Sequence, residues 1–231
     1  MEDKRFSCVH CGVKNCHNHK SQYPDFCLTT GAETQAPLEE SWRIYNENEE
    51  VRNIAVASAQ VEAEHYCQAP RVEEIMYFAK KIGAKKIGIA TCVGLINESR
   101  TFAKILEAQG FQPYGVVCKV GSHPKEDLGI TDDEKVRPGT FEPYCNPVAQ
   151  ALILNEAKTD LNVIVGLCVG HDSLFIKYSD VIVTTLVTKD RVLAHNPCGA
   201  LYTSSSYYSR LMDKQLFADE PTSADEPKDK E

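Results

Sequence analysis

Ten cysteines stand in this chain of 231 residues, and their spacing divides most of them into two sets. In the first, Cys8, Cys11, Cys16 and Cys27 follow the pattern C-x2-C-x4-C-x10-C. Thiolates are the ligands in such a segment, and the Cys-x-x-Cys step is tight enough to put both sulfurs on one metal. Structural zinc usually draws on two such knuckles and only one is present here, whereas iron–sulfur sites accept more varied gaps. The expected cofactor is therefore an iron–sulfur cluster or Zn, with the choice open. His10, His17 and His19 lie in the same stretch and could replace a cysteine on zinc, although solvated surface histidines account for them equally simply.

The second set is internal and repeated. Ala90-Thr91-Cys92-Val93-Gly94 and Gly166-Leu167-Cys168-Val169-Gly170 each put Cys-Val-Gly where a strand should end and a helix begin, and Cys118-Lys119-Val120-Gly121 is a relative of both. In an open parallel sheet, ligands gather beyond the carboxyl ends of the strands, so these cysteines point at one neighbourhood. Helix starts after such turns lower a thiol pKa and favour anions. Cys67, at the end of a predicted helix, and Cys145, just before Asn146-Pro147, can reach the same crevice, and His171 beside Cys168 offers a ligand or a proton carrier. The expected site is thus Cys67, Cys92, Cys118, Cys145, Cys168 and His171, serving a second metal or iron–sulfur centre or a pocket of reactive thiols. The competing reading is a set of independently buried cysteines, because a free thiol packs as a small apolar group.

Those residues need a scaffold to position them. The first thirty residues show no helical or strand period and few large apolar side chains, so something other than a core must order them. From Pro37 the apolar residues recur at helical intervals in one long or broken helix ending near Cys67, and Pro70 opens a second helix closed by Gly83. Short apolar runs at 86–91, 113–117, 162–167 and 181–187 alternate with helical stretches at 97–109, 147–158 and 172–178, and Arg191 to Ala194 suggests one more strand. A polar helix is expected past Leu201. The pattern predicts an α/β fold, a three-layer doubly wound and mostly parallel sheet with a small N-terminal metal-binding module. The expected boundaries are a cysteine-rich module at 1–36, the α/β domain with its crevice at 37–218, and a disordered acidic tail at 219–231.

Composition narrows the function classes. The formal charge of −8 and pI of about 5.4 remove the basic footprint that phosphate backbones require, which argues against nucleic acid. No apolar run is long enough for a membrane span and no signal-peptide core follows the N-terminal charges, so the expectation is a cytoplasmic protein with no membrane partner. A reducing compartment disfavours structural disulfides, which pushes ten cysteines toward metal or redox roles. No G-x-G-x-x-G after a strand, no Walker loop and no G-x-S-x-G elbow is present, so dinucleotide, nucleotide-hydrolysis and serine-hydrolase readings lose their usual support.

Taken together, these segments resemble an uncharacterised family of cysteine-rich proteins from anaerobic bacteria and methanogenic archaea that is usually labelled metal-binding. The resemblance is carried by Cys8-x-x-Cys11, Arg52-Asn53-Ile54-Ala55, Val61 to Glu64, Tyr66-Cys67, Pro70 to Ile75, Ile87 to Ala90 with Cys92-Val93-Gly94, Cys118 to Gly121, Cys145-Asn146-Pro147, and Leu167 to Leu174. It covers nearly all of the chain except the acidic tail, and Cys198 departs from the family pattern. The resemblance implies metal binding through the N-terminal cysteines and an anaerobe's cytoplasm. The expected function is a metal-binding protein, iron–sulfur or zinc, whose cysteine-lined crevice suits redox or electron-transfer chemistry with a redox partner protein or a small molecule. The alternative is a non-enzymatic zinc-binding or sensor protein whose internal cysteines only pack.

Overall fold

A computed structural model describes residues 6–18, 20, 22–213 and 215–217. His19 and the acidic tail at 219–231 lie outside the described residues. The chain divides into two compact units, Met1–Tyr66 and Cys67–Glu231.

The first unit opens with a 3-10 turn at Cys8–His10 and one turn of helix α1, Asn15–Asn18, and then forms helices α2, Gln35–Glu47, and α3, Glu49–His65. Of the two forms expected for this stretch, one long or a broken helix, the structure shows the broken one: Asn48 leaves helical geometry with φ −104° and ψ 105° and accepts a hydrogen bond from the Val51 N–H at 3.1 Å, the usual N-cap arrangement. Ala57 and Val61 are its buried apolar side chains, so apolar burial in this unit is slight.

The second unit is an α/β fold with a four-stranded parallel sheet flanked by helices. Helix α4, Arg71–Lys81, precedes β1, Lys86–Thr91; α5, Ile96–Ala108, leads to β2, Gln112–Val117; α6, Pro147–Glu156, leads to β3, Leu161–Val165; and α7, His171–Tyr178, leads to β4, Val183–Val187. The strand order is β2-β1-β3-β4, so the chain reverses its direction of travel across the sheet at β1. Both faces are covered, which explains strands that read as continuous apolar runs. Ile87, Ile89, Leu161, Val163 and Val165 bury against Ile75 and Ala79 of α4 and Phe102 and Leu106 of α5. The alternate residues Ala90, Val116 and Ile164 bury against Ala151 and Leu154 of α6 and Phe175 of α7.

Two sequence expectations are corrected. Residues 191–195 form turns instead of a strand, and past Leu201 a short helix α8, Cys198–Tyr202, gives way to turns and a 3-10 turn at Ser209–Met212. The Arg191–Ala194 stretch lacks a ladder because the Asp190 side chain takes its amides: Oδ1 accepts from the N–H groups of Val192 at 2.9 Å and Leu193 at 2.7 Å.

Gly166 ends β3 with φ +70°, and a Cβ there would lie 1.9 Å from Cδ1 of the buried Leu95. Left-handed strain and overpacking both oppose a side chain at this point. Gly166→Ala should lower unfolding stability by about 2–4 kcal/mol, read as a shift in the urea midpoint at unchanged slope.

Candidate functional site

The register of the sheet builds the site. Thr91 is opposite Val117 on one side and Val165 on the other, so β1, β2 and β3 end level with one another. Each strand then releases a cysteine. Cys92 N–H still donates to Val165 O at 3.2 Å and Cys118 N–H to Thr91 O at 2.8 Å, which carries the ladder one step past the strands. Cys145 arrives from the long loop after β2, where Asn146 N–H donates to Cys118 O at 2.7 Å and the Asn146 side chain caps α6 through Ala149 N–H at 2.9 Å. The loop is braced by Lys125 with Glu142 at 2.6 Å and by Lys135 with Glu126 and Asp132.

Three sulfurs meet there. The Cys118 sulfur accepts from Val93 N–H at 3.3 Å, and its thiol lies close enough to Cys92 and to Cys145 for its single proton to bond either one. It is only 2% exposed; Cys92 is 7% exposed and Cys145 is half-buried. Hydrogen bonding from Cys118 holds the Cys92 thiol down at about 5 against the opposing effect of burial, with help from Gly94 N–H and Lys189. Cys118 has one proton, so it serves one neighbour at a time; when it donates to Cys145 instead, it holds that thiol down at about 5, with Lys119 and His171 nearby. The Cys118 thiol is pushed up by its two sulfur neighbours and by burial. The three thiols therefore titrate as a coupled set, with protonation favoured at Cys118 and ionisation at its neighbours.

Cys168 joins by a different route. It is half-buried, and its sulfur accepts from Arg191 Nη2 at 3.0 Å. That bond raises the Arg191 pKa, and the sulfurs of Cys92 and Cys145 add to the effect. His171 starts α7, and its charge bears on Cys145. Cys67 is exposed, with a left-handed backbone at φ 55° between α3 and α4, and no hydrogen bond or ion pair joins it to these sulfurs among the described residues.

Lys189, Arg191 and Gln150 were not singled out by the sequence reading. The cations sit in the turn after β4, where nothing in their spacing announces a thiol partner. Gln150 left a faint signal as the single amide in the apolar stretch Val148–Ile153. Fully buried, its Nε2 donates to Val116 O at 2.6 Å and Thr91 O at 3.2 Å, the carbonyls beside the two strand exits.

In the first unit, Cys8 and Cys16 are exposed and Cys11 and Cys27 half-buried. Cys11 N–H donates to Cys8 O at 3.1 Å, closing a tight Cys-x-x-Cys turn, and the Thr29 backbone N–H leads the contacts that lower the Cys27 thiol pKa. The donor chemistry suits a thiophilic metal. Among the described residues no three His, Cys, Asp or Glu side chains are arranged to hold a metal ion.

The lowered thiols make a pH test. Alkylation of Cys145 by iodoacetamide in the folded protein, followed by peptide mass spectrometry, should stay nearly level from about pH 9 to about pH 6 and fall only as pH drops through about 5, because the thiolate persists above its lowered pKa. Lys119→Gln should move that fall to higher pH. A rate that already drops tenfold per unit below about pH 8 would show an ordinary thiol.

Comparison with known proteins places these elements in a family. An uncharacterised protein of Methanocaldococcus jannaschii is 44% identical over 205 residues, which is 89% of this chain and 97% of that protein. No solved structure matches the chain, and among the described residues no helix is long and apolar enough to cross a membrane. Residues 27–186, which run from Cys27 through the whole sulfur cluster to β4, match the family described as Protein of unknown function (DUF1847), and the chain belongs to that family.

Proposed function

We propose that the strand-end crevice is a dithiol redox centre and that the N-terminal cysteines hold an iron–sulfur cluster or Zn. The observation that carries the redox reading is geometric: Cys92 and Cys118 leave adjacent strands in register, and the Asn146 N–H bond to Cys118 O brings Cys145 beside the buried Cys118; the lowered Cys92 and Cys145 thiols support it. Cys145 is more exposed than the other two sulfurs of the trio and acts as the attacking thiolate. Its Sγ attacks one sulfur of an incoming disulfide, forming a mixed disulfide and expelling a thiolate. The Cys118 proton passes to Cys92 Sγ, and the freed Cys118 thiolate attacks Cys145 Sγ, expelling the second thiolate. Two electrons have then moved from the protein to the substrate, and the protein holds a Cys118–Cys145 disulfide. Exchange of this kind runs in either direction according to the potential of the partner.

The N-terminal reading rests on donor chemistry: four thiols within twenty residues and a unit with slight apolar burial. Cys8, Cys11, Cys16 and Cys27 would hold the metal, which would order this segment when bound.

Protein purified without air and equilibrated with mixtures of oxidised and reduced dithiothreitol, then acid-quenched and mapped, should show a Cys118–Cys145 disulfide. Cys118→Ser should trap mixed disulfide on Cys145, and Cys145→Ser should slow oxidation of Cys118 by about tenfold or more. If Cys118 stays reduced throughout, the internal cysteines only pack and the redox reading fails. Metal analysis with visible absorption tests the other half: iron with matching sulfide, or one colourless zinc, should be lost in the Cys8→Ser/Cys11→Ser variant. Metal content unchanged by that variant would remove the N-terminal site.

A further inference from the structure

We propose, building on the dithiol reading above, that the substrate is a small anionic disulfide held by Lys189 and Arg191. The chain is acidic overall, with 33 acidic against 25 basic residues, yet Lys119, Lys189, Arg191 and His171 gather around the sulfurs. Among the described residues no ion pair joins Lys119, Lys189 or Arg191 to a carboxylate, so the charge of these three cations is left to the sulfurs and to a ligand in front of them. Lys119 Nζ donates to the Pro143 carbonyl, Arg191 donates to Cys168, and Lys189 Nζ lies 3.4 Å from where a Cβ would stand on exposed Gly94. The carboxylate between the two loop cations is turned to other work, since Asp190 Oδ1 accepts from Val192 and Leu193.

The loop that carries these cations is held in shape. Asp190 N–H donates to His195 Nδ1 at 3.1 Å, and His195 N–H returns a bond to Asp190 O at 2.9 Å. Ala194 and His195 both take left-handed backbone, at φ 50° and 64°. Left-handed geometry is costly for Ala in particular, and this cross-bracing holds it there. A braced backbone, with the Arg191 side chain already bonded to Cys168, lowers the ordering cost of presenting that cation to an anion. Size follows from burial. With Cys118 2% and Cys92 7% exposed, and Cys145 half-buried, a disulfide must be slim to bring a sulfur to the attacking thiolate.

The step balances with that substrate alone: an anionic disulfide R–S–S–R, the Cys145 thiolate, the Cys118 thiol and the Cys92 thiolate give two R–S⁻, the Cys92 thiol and the Cys118–Cys145 disulfide. The S–S bond of the substrate is reduced, and the two cysteines are oxidised.

The test compares three disulfides of similar size: bis(2-carboxyethyl) disulfide, bis(2-hydroxyethyl) disulfide and cystamine. Each rate of Cys118–Cys145 disulfide formation in the full chain is divided by the rate of the same reagent with N-acetylcysteine. The dianion should exceed the neutral reagent by about tenfold or more at low salt, and cystamine should be slowest. Salt near 0.5 M should compress the series. Lys189→Gln/Arg191→Gln should bring the three normalised rates within about twofold of one another; because the readout is a ratio between substrates, a general change in thiol reactivity cancels. Equal rates in the unaltered protein, or a preference that survives the double substitution, would overturn anion selection while leaving the dithiol centre in place. No internal disulfide with any reagent would instead remove the dithiol reading, and this inference with it.

Discussion

Bringing three thiols from separate segments to one place at the strand ends imposes the requirements that the rest of the second unit meets. Cys92, Cys118 and Cys145 are separated by 25 and 26 residues along the chain, and hydrogen-bonding contact between them requires their backbones to be fixed to within a fraction of an ångström. A parallel sheet whose strands end in register does this. Level strand ends place successive cysteines side by side, and ladder bonds continuing through Cys92 and Cys118 keep the exits from fraying. The apolar packing on both faces supplies the rigidity, since interiors packed to crystal-like density tolerate little displacement.

Electrostatics then decides what the sulfurs can do. Burial alone would raise all three thiols and leave them inert. Here the hydrogen bond from Cys118, the Gly94 amide and the nearby lysines outweigh burial at Cys92 and Cys145, while Cys118 keeps its proton. The cations that contribute come from different places, Lys119 from the β2 exit to Cys145 and Lys189 from beyond β4 to Cys92. The centre therefore exists only in the folded unit, and no local peptide contains it.

Most of the scaffold was legible in the sequence because the relevant signals are local. Apolar runs of five to seven residues marked the strands, and Gly83, at φ 76°, closed the helix that its position suggested. The repeated Cys-Val-Gly pointed correctly to strand ends, and Cys145 was placed near the crevice by its position before α6. What failed was non-local or depended on side-chain competition. Val192 and Leu193 have strand composition, but the Asp190 carboxylate captures their amides, and no periodicity argument weighs that contest. The grouping of sulfurs was only partly readable: Cys92, Cys118 and Cys145 form the hydrogen-bonded set, whereas Cys168 answers to Arg191, a cation twenty-three positions away. Pairings at that distance are set by the turn after β4, whose shape the sequence alone does not disclose.

The amide of Gln150 has a mechanical meaning. By gripping the carbonyls of Thr91 and Val116 together, it rivets helix α6 to the place where the first two strands part, and the Asn146 amide ties the start of that helix to the Cys118 carbonyl. The main chain on either side of the Cys118–Cys145 pair is thus clamped. A covalent bond between those sulfurs, as proposed above, would have to form by rotation about their own side-chain bonds, with the main chain on both sides left in place.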